Sequence, residues 1–175
     1  MRAIIEIFGK IDGELANHVE NEISRFEAVG CDQMIFVINS SGGDYGESMR
    51  INQAISDAKD RGIHTTALVD QYCDSAATLF ALMCASKVSR PDATWLIHNG
   101  KLIGDFATEE GRIAEEKSLK DLDASVAHYY GTASGRPAAE FTKMMQAETR
   151  LDAEQLLELG LIDAIIPFGR LPEEA

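Results

Sequence analysis

The 175-residue sequence has little of what several protein classes need, and cysteine is the first example. Its three cysteines, Cys31, Cys73 and Cys84, cannot all pair and show no CxxC spacing, so we expect neither a disulfide framework nor a metal site. The longest apolar run, from Ala76 to Ala85, is half the length that a membrane span needs. No apolar stretch precedes the first charges, so we expect no secretory signal. These absences favour a cytoplasmic protein with no membrane partner.

Basic residues are also scarce, because 16 Lys and Arg stand against 29 Asp and Glu, which gives a formal net charge of −13 at pH 7. Nucleic-acid phosphates are bound by clusters of Lys and Arg, and none occurs here, so nucleic acid is not an expected partner. A content of 45% hydrophobic and 26% charged residues is typical of a folded globular protein. The length fits one domain over residues 1–175, and nothing in it suggests a cofactor.

Apolar runs alternate with helical patterns along the chain, as they do in α/β folds. The continuous apolar run at residues 34–38, which ends in a turn cluster at 39–43, is typical of a parallel strand buried on both faces. Alternating strands and helices imply βαβ crossovers and a mainly parallel sheet. We predict strands at 4–8, 34–38, 65–69, 94–97 and 164–166, and helices at 15–26, 46–60, 76–85, 108–130, 137–146 and 152–159.

Three chemically interesting positions each follow a predicted strand. Ser75 stands at a strand-to-helix turn, where a helix N-terminus offers N–H donors, although Ser75 or Asp74 could equally cap that helix. The pair Gly42 and Gly43 either turns backbone N–H groups toward an oxyanion or forms an ordinary turn. His98 is either a general base or a structural histidine. Because the ends of parallel strands meet at one edge of a sheet, the three together predict an acyl-transfer enzyme.

Five segments of the chain carry a resemblance to a known family. They are residues 4–12, Val-Ile-Asn-Ser-Ser-Gly-Gly-Asp at 37–44, Cys-Asp-Ser-Ala-Ala-Thr-Leu-Phe at 73–80, Trp-Leu-Ile-His-Asn at 95–99, and a closing signature at 144–153 and 158–163. In this order and spacing they resemble the ClpP-like serine peptidases of the ClpP/crotonase fold, and more narrowly their phage and prophage head-maturation branch. The resemblance implies a single ClpP-like domain, a repeated α/β superhelix with a handle helix at approximately 107–131.

The resemblance also assigns roles to individual residues. It implies a serine endopeptidase that forms an acyl-enzyme and needs neither a metal nor another cofactor. The implied roles are Ser75 as nucleophile, His98 as general base, the N–H groups of Gly43 and Ala76 as the oxyanion hole, and Glu148 as the acid that orients His98, with Asp152 and Asp105 as alternatives.

The resemblance implies partners as well. They are further copies of the chain, in a heptameric ring or a stacked double ring, and peptides or unfolded and scaffold proteins as substrates. An AAA+ unfoldase stays open as a partner. The start of the chain, almost at its first core strand, argues against it, because we expect the family's axial-loop segment, which helps to engage the unfoldase, to be missing.

One departure from the family pattern lies beside the proposed nucleophile. Asp74 stands where a small apolar residue is usual, and its carboxylate would repel a developing oxyanion if it pointed into the cleft. Asp74 and Glu148 keep open a second function, a non-catalytic ClpP-like structural subunit. A crotonase-type acyl-CoA enzyme also stays open, because it would share the fold and the paired oxyanion donors.

Overall fold

The computed structural model describes residues 1–101 and 107–172, and the chain divides into two compact units. Unit 1 contains residues 1–96 and the described residues from 150 onward, and unit 2 contains residues 97–149. Within the described residues there are seven strands and six helices. They are β1 (Arg2–Ile11), α1 (Gly13–Ala28), β2 (Gln33–Gly43), α2 (Tyr45–Asp60), β3 (His64–Asp74), α3 (Ala77–Met83), β4 (Ser86–Ser89), β5 (Thr94–Ile97), α4 (Glu109–Ser134), α5 (Ala138–Gln146), β6 (Thr149–Asp152), α6 (Ala153–Leu159) and β7 (Ala164–Ile165).

The strands form one sheet in the order β1-β2-β3-β4-β7, with β5 paired to β3 and to β6. The pairings β1–β2, β2–β3, β3–β4, β3–β5 and β4–β7 are all parallel. The predicted α/β class with a mainly parallel sheet is therefore confirmed. The apolar run at 34–38 becomes the middle of β2, where four of the five side chains are buried.

Strand β3 is longer than predicted, and β4 and β6 were not predicted at all. Apolar patterning ends at Val69, whereas β3 continues through residues 70–74, which are mostly polar apart from the buried Cys73. The extension is stabilised by a new neighbour, because residues 66–69 of β3 pair with β4 while residues 72–74 pair with β5. Ser75 therefore follows directly on the last residue of β3.

Helix α4 also ends later than predicted, because Gly131 lies inside it. A Cβ on Gly131 would come within 2.8 Å of the carbonyl oxygen of Arg136, so this glycine lets the chain pack closely after the helix. The helix ends at Ser134, and Gly135 caps it in the left-handed conformation (φ 70°). None of the helices in the described residues is long and apolar enough to cross a membrane.

A cluster of aliphatic side chains packs on one face of the sheet in unit 1. Leu68, which is 1% exposed, lies beside Ile35 and Val88 from the neighbouring strands. The partly buried residues Val37 and Ala164 pack against the same cluster. Buried aliphatic contacts of this kind are a main source of folding free energy.

Leu68→Ala should lower the free energy of unfolding by about 2–5 kcal/mol, because it removes buried methyl groups and leaves a cavity. Urea unfolding at fixed protein concentration measures the change. Leu157→Ala is the matched control, since Leu157 is 42% exposed and its truncation should change the free energy of unfolding by about 0.5 kcal/mol or less. Equal losses in the two variants would contradict the proposed position of the core.

Candidate active site

Ser75 adopts an unusual backbone conformation in unit 1. It lies between the last residue of β3, Asp74, and the start of α3, and its φ of 56° is in the left-handed region that side chains other than glycine rarely occupy. Its N–H donates to the carbonyl oxygen of Leu96 at 2.7 Å. Its own carbonyl oxygen accepts from the N–H of Thr78 (3.1 Å) and from the Thr78 hydroxyl (2.7 Å). We call residues 74–76 the serine turn.

Gly42, at the end of β2, lies directly against the serine turn. A Cβ on Gly42 would come within 2.6 Å of the Asp74 carbonyl oxygen and 2.8 Å of the Ser75 Cβ. Real Cβ atoms essentially never come so close, so only glycine fits here without moving the turn. Its φ of 78° independently favours glycine. The sequence singled out the glycine pair, but it did not indicate that Gly42 is the residue in contact with Ser75.

The two predicted oxyanion donors lie next to this contact. The Ala76 nitrogen is 3.2 Å from the Cβ position of Gly42, and the Ala76 carbonyl accepts from the buried hydroxyl of Ser48 at 2.6 Å. Gly43 is held against β1, since a Cβ on it would come within 2.2 Å of the Ile11 carbonyl oxygen. The structure thus brings together the glycine pair, the serine and Ala76. A shared oxyanion site for the two N–H groups stays a prediction.

The carboxylate of Asp74 has its own set of partners. Its Oδ1 accepts from the N–H of Leu96 at 2.9 Å and from Arg150 Nη1 at 3.2 Å, and its Oδ2 accepts from Arg150 Nη2 at 3.0 Å. Arg150 Nη1 also donates to the hydroxyl of Thr94 at 2.8 Å. Both carboxylate oxygens are therefore engaged with β5 and β6. Sequence reasoning missed Arg150, because the short strand that carries it has no clear pattern.

Cys73, although only two positions before Ser75, is unsuitable as a nucleophile. It is fully buried, and burial, followed by the neighbouring Asp74 carboxylate, raises its pKa well above the ordinary value for a thiol. Burial likewise raises the pKa of Cys84 to about 12. Neither residue forms thiolate at neutral pH. Among residues 1–101 and 107–172, no group of three or more His, Cys, Asp or Glu side chains is placed to hold a metal ion.

His98 lies in unit 2 and follows β5 directly. Its Nδ1 is 2.6 Å from the carbonyl oxygen of Asn99, while the Asn99 N–H donates to the Met145 carbonyl at 3.2 Å. A carbonyl oxygen can only accept, so Nδ1 carries the proton in the neutral ring. Nε2 is then the acceptor, which is the tautomer that a general base needs.

Glu148 lies in the same unit as His98, but its carboxylate has another partner. Its Oε1 is 3.3 Å from Lys101 Nζ, and both side chains are well exposed (60% and 66%). No hydrogen bond joins Glu148 to His98 in the part of the chain that the structure describes, so that contact stays a prediction. An ion pair this exposed contributes little free energy and is easily exchanged. Glu148 also has a positive φ of 48°, a strained conformation for glutamate.

Of the two alternative orienting acids, Asp152 and Asp105, the structure describes Asp152. Asp152 begins α6 and forms a capping box with Gln155, in which its Oδ1 accepts the Gln155 N–H at 2.8 Å and its own N–H donates to the Gln155 side chain at 3.0 Å. Its carboxylate is thus already used to stabilise a helix. Asp105 lies outside the described residues. Of the two acids that the structure describes, Glu148 is the freer to interact with a histidine.

Gly42→Ala should destabilise the protein more than an equally strained substitution elsewhere. Gly62 is the matched control, because it has a similar φ of 89° but nothing within 4 Å of its Cβ position. Gly62→Ala should lower the free energy of unfolding by about 1–2 kcal/mol through backbone strain alone. Gly42→Ala should lower the free energy of unfolding by about 1–3 kcal/mol more than Gly62→Ala does, because the added methyl group overpacks the serine turn. Urea unfolding of both variants compares the losses, and equal losses would argue against the close contact.

Similarity to known proteins agrees with the geometry of the site. A sequence profile of the Clp protease family matches residues 1–168. The ATP-dependent Clp protease proteolytic subunit 1 of Mycolicibacterium paratuberculosis is 27% identical, with 96% of this chain and 80% of the relative covered. The protein of the same description from Rhodococcus jostii is 28% identical (96% and 76% covered), and subunit 2 from Mycobacterium leprae is 26% identical (96% and 79%). Since the profile spans nearly the whole sequence, this chain belongs to the Clp protease family.

Proposed function

We propose that this chain is the proteolytic subunit of a serine endopeptidase that cleaves peptides or unfolded proteins through an acyl-enzyme. The conformation of Ser75 carries the proposal. A serine between a strand and a helix, with a positive φ and a glycine packed against its Cβ, is a costly arrangement. Such strain persists at sites where it presents a reactive side chain, and a helix cap needs none of it.

The proposed reaction assigns one chemical role to each of four groups of the site. Ser75 Oγ attacks the peptide carbonyl carbon while His98 Nε2 takes the hydroxyl proton. The negative charge that develops on the carbonyl oxygen is stabilised by the N–H groups of Gly43 and Ala76. Collapse of the tetrahedral intermediate breaks the C–N bond, and the protonated His98 gives its proton to the leaving amine. Water then hydrolyses the ester by the same sequence of steps.

The position of Asp74 supports this assignment. A free carboxylate beside the nucleophile would repel the oxyanion, but both oxygens of Asp74 are bound by Arg150, and one also accepts from Leu96. Its charge is therefore compensated locally. The departure from the family pattern does not argue against catalysis.

We assign the orienting role to Glu148. In this conformation the carbonyl of Asn99 occupies the His98 nitrogen that an orienting acid would contact, and Lys101 holds the Glu148 carboxylate. Activation in our proposal exchanges the Lys101 ion pair for a hydrogen bond to His98. The same observation favours the second candidate function, a non-catalytic subunit in which the pair never forms.

We further infer that the chain acts as a homo-oligomeric ring in the cytoplasm, with a heptameric ring or a stacked double ring as the candidate assemblies. The relatives' names describe proteolytic subunits of ATP-dependent proteases, so an AAA+ unfoldase is a candidate partner. A scaffold protein is a candidate substrate if the chain belongs to the phage head-maturation branch, as its motifs predict.

Ser75→Ala should abolish covalent labelling by a fluorophosphonate probe and lower peptide hydrolysis by more than about a thousandfold, because it removes the attacking oxygen. Mass spectrometry of the labelled peptide should place the adduct on Ser75. Ser24→Ala is the control, since Ser24 lies exposed on α1 and its hydroxyl donates to the Glu20 carbonyl of the same helix.

Native mass spectrometry of the same samples shows whether the assembly is intact. Labelling that survives Ser75→Ala would refute the proposal. An intact wild-type assembly with neither labelling nor hydrolysis would favour the non-catalytic subunit. Thermal stabilisation by acyl-CoA, without any by peptide boronates, would favour the acyl-CoA enzyme.

The orienting acid is tested by comparing Glu148→Gln with Asp152→Asn. Glu148→Gln should lower kcat on the order of a hundredfold or more with little change in melting temperature, because the substituted side chain is exposed and its ion pair contributes little free energy. Asp152→Asn should leave kcat unchanged and lower the stability slightly, because it weakens a helix cap. The reverse pattern would transfer the role to Asp152.

A further inference from the structure

We infer that Asp74 and Arg150 form a clamp that holds the serine turn in its reactive conformation, so that Arg150 is a positioning residue for Ser75. The clamp consists of Asp74, Arg150, Thr94 and the peptide group of Leu96. The inference rests on the proposed function for its effect on catalysis, but its structural part can be tested separately.

The serine turn needs such support because its conformation is unfavourable in itself. A serine at φ 56° persists only if the surrounding contacts favour that conformation over its alternatives. On one side, Gly42 leaves room for the turn. Hydrogen bonds that retain the turn come from Thr78 of α3, which donates to the Ser75 carbonyl oxygen, and from β5. The bonds from β5 are the ones that involve the Ser75 N–H and the Asp74 carboxylate.

Leu96 of β5 forms hydrogen bonds to residues 74 and 75 through both its N–H and its carbonyl oxygen. Its carbonyl oxygen accepts the Ser75 N–H at 2.7 Å, while its N–H donates to the Asp74 carboxylate at 2.9 Å. Asp74, Ser75 and Leu96 thus form a closed hydrogen-bonded ring in which one member is a side chain. If the carboxylate moves, the Leu96 N–H loses its acceptor and the ring opens, so Leu96 is held less firmly as the acceptor of the Ser75 N–H.

Arg150 fixes the position of that carboxylate. It binds both oxygens of Asp74 through parallel bonds of 3.2 and 3.0 Å, and Nη1 reaches the Thr94 hydroxyl at 2.8 Å. Two parallel bonds between the guanidinium and the carboxylate restrict the orientation of the Asp74 side chain more than a single bond would. The Asp74 side chain is only 13% exposed, so water cannot readily replace the guanidinium. Arg150 therefore links β6 to the serine turn through Asp74 and to β5 through Thr94.

Arg150→Ala should lower the rate of fluorophosphonate labelling and kcat on the order of ten- to a hundredfold, since small displacements of a nucleophile have effects of this size. KM should change little, because none of the clamp residues is assigned to substrate binding. Arg150→Lys keeps the charge but cannot form the two parallel bonds, so its kcat should lie between those of Arg150→Ala and the wild type. Asp74→Asn should resemble Arg150→Ala, and the double variant should be little worse than either single variant.

Arg61→Ala is the matched control. Arg61 also binds a carboxylate in unit 1, that of Glu27, through two nitrogens, and it is similarly exposed. Its kcat and labelling rate should equal those of the wild type. Equal losses of kcat in Arg61→Ala and Arg150→Ala, or strictly additive effects of Asp74→Asn and Arg150→Ala, would overturn the inference.

Hydrogen exchange separates this inference from the proposed function. The amides of Ser75 and Leu96 should exchange faster in Arg150→Ala than in the wild type or Arg61→Ala, because the closed ring opens more often. If the wild type is not labelled, the proposed function fails, and exchange alone then decides the clamp. Unchanged exchange of these two amides in Arg150→Ala would overturn it.

Discussion

The arrangement of the site depends on the parallel pairing of β2 with β3 and on one irregularity in it. The register runs evenly to the pair Ile38–Val69 and then shifts, so that the next pair is Ser40–Cys73. Strand β3 thus contains two more residues than β2 over this interval. The shift moves the end of β2 along β3, and Gly42 meets the serine turn. Without those two residues the glycine pair would lie beside a different part of β3, and the turn would have lost its close neighbour.

Much of the fold could be predicted because burial leaves a direct pattern in the sequence. The apolar run that became β2 lies between two other strands, and side chains on both of its faces avoid water. The polar end of β3 leaves no such pattern, since its pairing with β5 depends on backbone hydrogen bonds that any residue can form. The short strands β4 and β6 were missed for the same reason. Residue patterns therefore predicted the apolar parts of the strands better than their polar ends, and the serine turn follows such an end.

The candidate site, like the fold, could be predicted from the sequence only in part. The glycine pair, the serine and Ala76 were identified from residue types, and the structure brings them together in unit 1. The side-chain partners could not be read in this way. Asp74 looked unfavourable for catalysis because its sequence neighbour is Ser75, whereas its charge is compensated by Arg150, 76 positions away along the chain. Likewise, the contact between Glu148 and Lys101 depends on side-chain orientation, which no spacing rule encodes. Long-range polar contacts are what a single sequence reveals least.

Helix α4 has an uneven distribution of supporting contacts along its length. It contains 26 residues, about 39 Å of helix, yet its buried residues are confined to Ala127, Tyr130 and Gly131 near the C-terminal end, where Tyr130 stacks on Phe141. The turns before Leu119, which packs against Gly100, are stabilised by the Thr108 cap and by ion pairs such as those of Arg112. A stretch of that length is only marginally helical in water without packing. The free energy of local opening must therefore rise from the N-terminal to the C-terminal end of α4. The helix opens most easily at its N-terminal end.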